Sequence, residues 1–115
     1  MKNVQIEQIV TLKKPETDEF IELDYSVLRK AVLVLRAVNH DLRQSIIRLL
    51  EDNSKMTVTE IYIKLRLEQS VASQHLAILR RAGVVVTERE GKYIYYTLNK
   101  DRIGEIVELI EDLAV

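Results

Sequence analysis

The sequence predicts a mainly α fold of the α+β type, in which several helices accompany one short β-hairpin. Residues 69–82 carry apolar side chains at helical spacing and end at Gly83, and glycine adopts the left-handed conformation that closes a helix without steric cost. Residues 84–98 alternate apolar and polar side chains as strands do, around a central Glu90-Gly91 that suits a tight turn. One proline and three glycines in 115 residues leave little room for long loops, which favours helices.

Residues 1–23 are predicted to be a partly ordered N-terminal arm, and residues 24–115 to be the folded domain. Asp24 can accept hydrogen bonds from the free amides of a first helical turn, so a helix is expected from there to about Val38. The apolar residues of the arm fit a helical turn or a strand equally well: Val4, Ile6, Ile9 and Val10.

Two terminal helices carry more apolar surface than one domain of this size can cover. The helix that ends at Val38 is apolar on nearly all sides, and a C-terminal helix over residues 103–113 combines an apolar face with mainly acidic polar positions. Either helix alone could serve simply in the core, but a second subunit would cover both. The sequence therefore predicts a homodimer with the following interface residues: Val27, Val34, Ile106, Leu109, Ile110 and Leu113.

Between the terminal helices, two shorter ones are expected before residue 69. Asn39 is the expected N-cap of a helix over residues 40–51, which a polar loop over residues 52–55 follows. Thr57 and Glu60 have the spacing of a capping box, which starts a helix that runs to about residue 65.

Residues 66–68 would then be the turn of a helix-turn-helix, and Glu68 is a weaker N-cap for the next helix than serine or threonine would be. One face of that helix packs through Ala72, Leu76 and Leu79. The opposite face carries short hydroxyls and amides, which can donate to and accept from base edges in a DNA major groove: Gln69, Ser70, Ser73 and Gln74.

The hairpin that follows places Arg89 and Lys92 at its tip. A helix with a polar face followed by a hairpin with a basic tip is the second half of a winged helix-turn-helix. The net charge of −1 does not indicate a nucleic-acid binder, but residues 64–92 contain six basic and three acidic side chains. Ordinary solvated charges explain an asymmetry of this size about equally well.

Composition excludes several classes of protein. The chain is 47% hydrophobic and 30% charged, which is typical of one folded domain. Cysteine is absent, which excludes disulfides, thiolate metal sites and cysteine nucleophiles. No apolar run reaches the ~20 residues of a membrane span, and the first ten residues lack the apolar core of a signal peptide. A cytoplasmic protein without a membrane partner is therefore expected.

Four segments between residues 39 and 99 carry a family resemblance: HDLRQSIIRLL, TVTEIYIKL, SVASQHLAILRRAGVV and a wing that ends in GKYIYYTLN. Together they resemble the ArsR/SmtB-type family of small bacterial winged-helix transcriptional regulators. The resemblance implies a symmetric dimer formed by the first and last helices. It also implies DNA binding by the positions of Gln69, Ser70, Ser73 and Gln74, with Arg89 and Lys92 on the wing.

The usual sensing chemistry of that family is missing from this sequence. Many members bind metals or oxidants through cysteines on the helix before the recognition helix, and others through His, Asp and Glu of the last helices. Residues 59–65 contain no cysteine, and residues 101–115 contain no histidine. His75 fits a packed, hydrogen-bonded ring better than a ligand, and His40 lies at a helix start. We therefore expect no metal and no cofactor, and we leave an unknown small-molecule or protein effector open.

The residues bear on three candidate functions. The first is a homodimeric repressor of transcription that reads an inverted-repeat operator in double-stranded DNA through residues 69–82 and the wing at 84–98. The alternative is a winged-helix protein–protein interaction module without direct DNA binding, but such interfaces favour aromatic and aliphatic anchors over glutamine and serine. An enzyme is the weakest of the three hypotheses, because the sequence offers no nucleophile and base. Its two histidines are far apart in the chain, and it has neither a cysteine nor a glycine-rich phosphate loop.

Overall fold

The computed structural model describes residues 8–115, which form five α-helices and five β-strands. The chain divides into two compact units between Val34 and Leu35. Within the described residues, none of the helices combines the length and the apolar character needed to cross a membrane.

The first unit contains an antiparallel hairpin of β1 (Ile9–Lys13) and β2 (Phe20–Asp24). Its cross-strand pairs put four apolar residues on one face of the ribbon: Val10, Leu12, Ile21 and Leu23. Ile9 and Val10, for which the sequence left helix and strand open, are thus in a strand. Val4 and Ile6 lie outside the described residues, and the domain boundary at residue 24 stays a prediction.

Helix α1 (Tyr25–Val38) begins directly after Asp24, which caps it as the sequence predicts. The Asp24 carboxylate accepts hydrogen bonds from the backbone amides of Ser26 at 2.9 Å and Val27 at 3.4 Å. These bonds satisfy two of the amides that have no partner inside the helix. The helix starts in the first unit and ends in the second.

The second unit alternates helices with the strands of one small sheet. Its elements are α2 (Asp41–Asn53), β3 (Lys55–Met56), α3 (Val58–Leu65), α4 (Gln69–Arg81), β4 (Val85–Glu90), β5 (Tyr93–Leu98) and α5 (Lys100–Leu113). The sheet is antiparallel with the order β3-β5-β4. Helices α3 and α4 form the predicted helix-turn-helix, and β4 and β5 form its wing.

Two local expectations around α2 were wrong. His40, not Asn39, is the N-cap, because the His40 Nδ1 accepts a hydrogen bond from the Leu42 amide at 3.1 Å. The polar loop expected over residues 52–55 is shorter, since α2 continues to Asn53 and Lys55 begins β3, where it pairs with Thr97 of β5.

The core of the second unit draws large aliphatic side chains from three helices and the sheet. Burial of one such side chain contributes about 1.5–3 kcal/mol. Because α2, α3, α4 and β4 all contribute, the helix-turn-helix is fixed to the base of the wing. The fully buried large residues are Ile46, Leu50, Ile61, Leu76, Leu79, Val84 and Val85.

Candidate nucleic-acid interface

The first helix of the helix-turn-helix begins at the predicted capping box. The Thr57 hydroxyl accepts a hydrogen bond from the Glu60 amide at 3.2 Å, and the Glu60 carboxylate accepts one from the Thr57 amide at 3.1 Å. Helix α3 ends at Arg66, whose φ of 56° lies in the left-handed region. That conformation costs a residue other than glycine about 1–2 kcal/mol. It turns the chain sharply, so that α4 begins three residues later.

Helix α4 separates packing residues from exposed residues as the helical period predicts. Ala72, Leu76 and Leu79 each have a relative exposure of 0% and face the core. The four predicted reading residues all lie on the exposed side of the helix: Gln69, Ser70, Ser73 and Gln74. The structure thus places them on one accessible surface, hereafter called the reading face.

The two ends of α4 differ in how they are capped. Gly83 has a φ of +79°, its amide donates to the Arg80 carbonyl at 3.0 Å, and the Val84 amide donates to the Leu79 carbonyl at 3.0 Å. This pair of bonds is the Schellman motif, for which glycine is favoured. At the other end, Glu68 makes no side-chain capping bond in the described structure, as expected for a weak cap.

The turn of the wing lies one residue later than predicted. Glu90 pairs with Tyr93, so the two turn residues are Gly91 and Lys92, with a φ of +61° at Gly91. The strand register rather than the local Glu-Gly sequence sets this position, because each pair of the ladder fixes the next. Glycine at the first of two turn positions is a favoured hairpin arrangement.

The tip of the wing is basic and exposed. Arg89 and Lys92 both reach solvent, as the sequence predicts. The Arg89 Nε donates to the Gly91 carbonyl at 3.3 Å, and the Lys92 Nζ lies 5.3 Å from the centroid of the Tyr93 ring. These contacts hold the two cations beside the turn while leaving them accessible.

Lys55 joins the wing, although no sequence pattern indicates that it belongs there. Its Nζ lies 2.5 Å from the Glu90 Oε1 and 4.9 Å from the centroid of the Tyr95 ring. The hydrogen bond with Glu90 raises the pKa of Lys55 above its ordinary value. Because Lys55 pairs with this carboxylate, Glu90 opposes the positive potential of the wing less than its charge alone suggests.

An open groove of about 500 Å³ separates α4 from the wing. Its lining residues are Ser73, Ala77, Arg80, Arg81 and Tyr96. The helix dipole alone favours arginines such as Arg80 and Arg81 in the last turn of a helix. The groove in addition brings Arg80 and Arg81 together with Ser73 of the reading face.

Comparison with known proteins decides the family. The model of the arsR family of bacterial regulatory proteins matches residues 40–87. The transcriptional activator HlyU of Vibrio cholerae is 40% identical over 84 residues, which are 73% of this chain and 77% of HlyU. The chain belongs to the ArsR family of bacterial regulatory proteins. Its family is thus one of DNA-binding transcriptional regulators rather than enzymes, as the sequence predicts.

Solved structures of ArsR-family relatives share the winged helix-turn-helix. HlyU from Vibrio cholerae matches with a TM-score of 0.59 and 39% identity, over 76% of this chain and 94% of that chain. The transcriptional repressor PagR of Bacillus anthracis matches with a TM-score of 0.60 and 32% identity, over 76% of this chain and 99% of that chain. In sequence, PagR is 30% identical over 92 residues, which cover 80% of this chain and 92% of PagR. The predicted fold class is confirmed.

Most of the predicted dimer residues of this ArsR-family chain are open to solvent. Val27 is 57% exposed, Leu109 44%, Ile110 40% and Leu113 69%, and Val34 is half-buried. Ile106 differs, because it is only 6% exposed and is part of the core of its own chain. A side chain covered in this way has little surface left for a partner, so we remove it from the predicted interface.

The two histidines of the chain lie together, and each makes a hydrogen bond within the fold. Their ring centroids are 4.9 Å apart, and the Arg43 guanidinium contacts His75. Among residues 8–115, no group of three or more His, Asp or Glu side chains converges as metal ligands. His40 caps α2 and His75 is a half-buried, hydrogen-bonded ring, which are the structural roles expected for them.

Proposed function

We propose that this protein is a homodimeric repressor that reads an inverted-repeat operator in double-stranded DNA. The observation that carries the proposal is the reading face of α4, whose four polar side chains are exposed while the opposite face of the helix is buried. A major groove of B-DNA is wide enough to admit a helix, and hydroxyl and amide groups match the donors and acceptors of base edges.

Phosphate contacts would come from the basic residues around the reading face. Arg89 and Lys92 at the wing tip are exposed, and Arg80 and Arg81 line the groove between helix and wing. Contacts of this kind fix the orientation of a protein on the duplex without reading its sequence. In this proposal, α4 supplies specificity and the wing supplies affinity that depends on salt.

Dimerisation is proposed through the exposed apolar residues of α1 and α5. Large aliphatic side chains such as Leu109 and Leu113 lose solvent contact when a second copy covers them, and each gains hydrophobic stabilisation. Two-fold symmetry would place two reading helices about one DNA turn apart, roughly 34 Å. The operator would then be an imperfect inverted repeat with the same spacing between half-sites.

Repression is the proposed outcome because a dimer bound at a promoter competes with polymerase. HlyU is named an activator and PagR a repressor, so both outcomes occur among relatives. Levels of the target transcript, measured in the cytoplasm of cells with and without the protein, distinguish repression from activation. Higher levels of the target transcript without the protein support repression, and lower levels contradict it.

Selection of bound fragments from a pool of random duplex DNA tests the proposal. We expect enrichment of an inverted repeat whose half-site centres lie about one turn apart. A double variant, Ser73→Glu with Gln74→Glu, adds negative charge to the reading face and should enrich nothing. The matched control, Gln44→Glu with Ser45→Glu, adds the same charge to exposed positions of α2 and should enrich the wild-type repeat. A folded wild-type protein that enriches no sequence would favour the protein interaction module instead.

A further inference from the structure

The buried side chain of Arg43 joins the end of α1 to the reading helix α4. Arg43 is only 9% exposed. Its Nε donates to the Ala37 carbonyl at 2.6 Å and its Nη2 to the Arg36 carbonyl at 3.0 Å, both at the C-terminal end of α1. Its Nη1 lies 3.1 Å from the Nδ1 of His75 on α4. One guanidinium therefore holds two helices in register.

The hydrogen bond from Arg43 determines which ring nitrogen of His75 carries the proton. A guanidinium only donates hydrogen bonds, so the His75 Nδ1 must accept and must carry no proton. The neutral ring then has its proton on Nε2. His40, whose ring is next to that of His75, also uses an unprotonated Nδ1 to accept from the Leu42 amide.

No carboxylate in the described residues is hydrogen-bonded to His75. The titratable and charged groups that face its ring are His40, the N-cap of α2, and the guanidinium of Arg43 on α2. Burial lowers the pKa of His75 below its ordinary value, and the neighbouring charges of His40 and Arg43 lower it further. The α1 groups at this site are the carbonyls that Arg43 already binds. A protonated His75 would both lose its acceptor and place a second cation against the guanidinium.

We propose that Arg43 and His75 are positioning residues for DNA binding and that protonation of His75 releases α4 from the end of α1. The inference rests on the proposed function, in which α4 reads DNA. His75 follows Gln74 of the reading face directly in the chain, so movement of its backbone displaces a reading residue. Because the pKa of His75 is lowered, operator affinity should fall only at pH values below the ordinary histidine pKa of about 6.5.

The sign of this effect separates it from ordinary electrostatics. A histidine that gains a proton near a phosphate strengthens binding to DNA, because it adds a positive charge. Loss of affinity on acidification requires that the protonated state disfavour the binding geometry. Since the bound state would hold one proton fewer in each protomer, the loss reaches about tenfold per pH unit for each protomer.

The test measures affinity for the duplex recovered from the random pool, by fluorescence anisotropy at constant ionic strength between about pH 8 and pH 5. Wild type should lose affinity about tenfold or more across this range. His75→Gln should bind with little pH dependence, because its amide oxygen accepts from Arg43 at every pH. His40→Asn, which keeps a good N-cap for α2, should keep a pH dependence that is shifted to higher pH, because the charge of His40 no longer lowers the pKa of His75.

A wild type that binds equally at all pH values overturns the inference but leaves the proposed function intact, whereas absence of binding at about pH 8 overturns both. A dependence that disappears in His40→Asn rather than in His75→Gln also overturns it. Circular dichroism at each pH must show a constant helix content, because affinity lost through unfolding contradicts a positioning role.

A further measurement uses wild type alone, in case His75→Gln does not fold. The 15N chemical shifts of the His75 ring report which nitrogen carries the proton. An unprotonated Nδ1 at about pH 8 that becomes protonated over the same range as affinity falls supports the inference. A proton on Nδ1 at about pH 8 overturns it.

Discussion

Arg102 of α5 donates a hydrogen bond from its Nε to the Ala82 carbonyl, 3.2 Å away at the C-terminal end of the reading helix. Its Nη1 also lies 3.2 Å from the Glu105 Oε2. The end of α4 is thus tied to α5 by a charged donor, while Arg43 ties its middle to α1. Both proposed dimer helices are therefore linked to the reading helix, α5 directly through Arg102 and α1 through Arg43 of α2.

We expect Arg102→Met to destabilise the fold by about 1–2 kcal/mol, because it leaves the Ala82 carbonyl without its charged donor. Urea unfolding followed by circular dichroism measures the change. Glu105→Gln is the control, since it removes only an exposed ion pair and should cost less than about 0.5 kcal/mol. Equal losses in the two variants would mean that the bond to Ala82 contributes nothing.

The two glycines Gly83 and Gly104 should respond to alanine in opposite directions. Gly83 has a φ of +79°, and a Cβ there would lie 3.4 Å from the Arg102 side chain. Gly83→Ala should therefore destabilise by about 1–2 kcal/mol. Gly104 lies inside α5, and a Cβ there meets no atom of the described chain within 4 Å. Gly104→Ala should stabilise by up to about 1 kcal/mol, which a shift of the urea midpoint would show.

Base readout and phosphate anchoring should be separable by mutation. Ser73→Ala or Gln74→Ala should relax the preference at particular base pairs, at about 1–3 kcal/mol for each lost base contact. Arg89→Ala and Lys92→Ala should weaken all sequences alike and reduce the slope of log affinity against log salt by about one unit each.

Arg48→Ala is the control for the wing variants, because this exposed arginine lies on α2, outside the proposed interface. Its salt slope should equal that of wild type. If the wing variants also keep the wild-type affinity and slope, the wing does not contact DNA.

Leu109→Glu combined with Ile110→Glu should abolish dimerisation, because both side chains are exposed on α5 and a charge buried between two copies is costly. Sedimentation velocity should show a dimer for wild type and a monomer for the variant, with loss of tight operator binding. Ile63→Glu adds a charge to a residue of α3 that is 63% exposed and should remain a dimer. A monomeric wild type at micromolar concentration would contradict the proposed assembly.

Operator binding should be insensitive to zinc, arsenite, copper and peroxide. Thiolate ligands supply the soft, high-affinity sites for arsenite and copper, and the chain has no cysteine. Zinc needs three or four converging nitrogen or oxygen ligands, and His75 is already engaged by Arg43. Anaerobic titration of each metal into the complex, followed by fluorescence anisotropy, measures release. Release by micromolar zinc that is lost in Glu108→Gln with Glu111→Gln would indicate a sensing site on α5.

Local signals account for the parts of the fold that the sequence predicts well. The capping box of Thr57 and Glu60 and the cap at Gly83 each depend on residues within one turn of a helix, so sequence spacing suffices. The exposure of the reading face follows from helical period in the same way. These features place α3, α4 and the accessible side of α4 without knowledge of the rest of the chain.

Features that depend on distant partners were missed or misplaced. Strand β3 exists because Lys55 and Met56 pair with β5, and no local pattern of two residues can indicate this. The wing turn is shifted because the ladder sets it. The link between Arg43 and His75 joins residues 32 positions apart, so neither side chain could be assigned its partner from the sequence.

Because α4 has separate packing and exposed faces, the DNA sequence that it prefers can change without a change in the core. The buried residues Ala72, Leu76 and Leu79 pack α4 against the core. Ser70, Ser73 and their exposed neighbours do not belong to the core. Substitutions at such exposed positions usually change stability by less than about 0.5 kcal/mol. A duplicated copy of this protein could therefore acquire a new operator through a few changes on one side of one helix, and an engineer could redirect it by the same route.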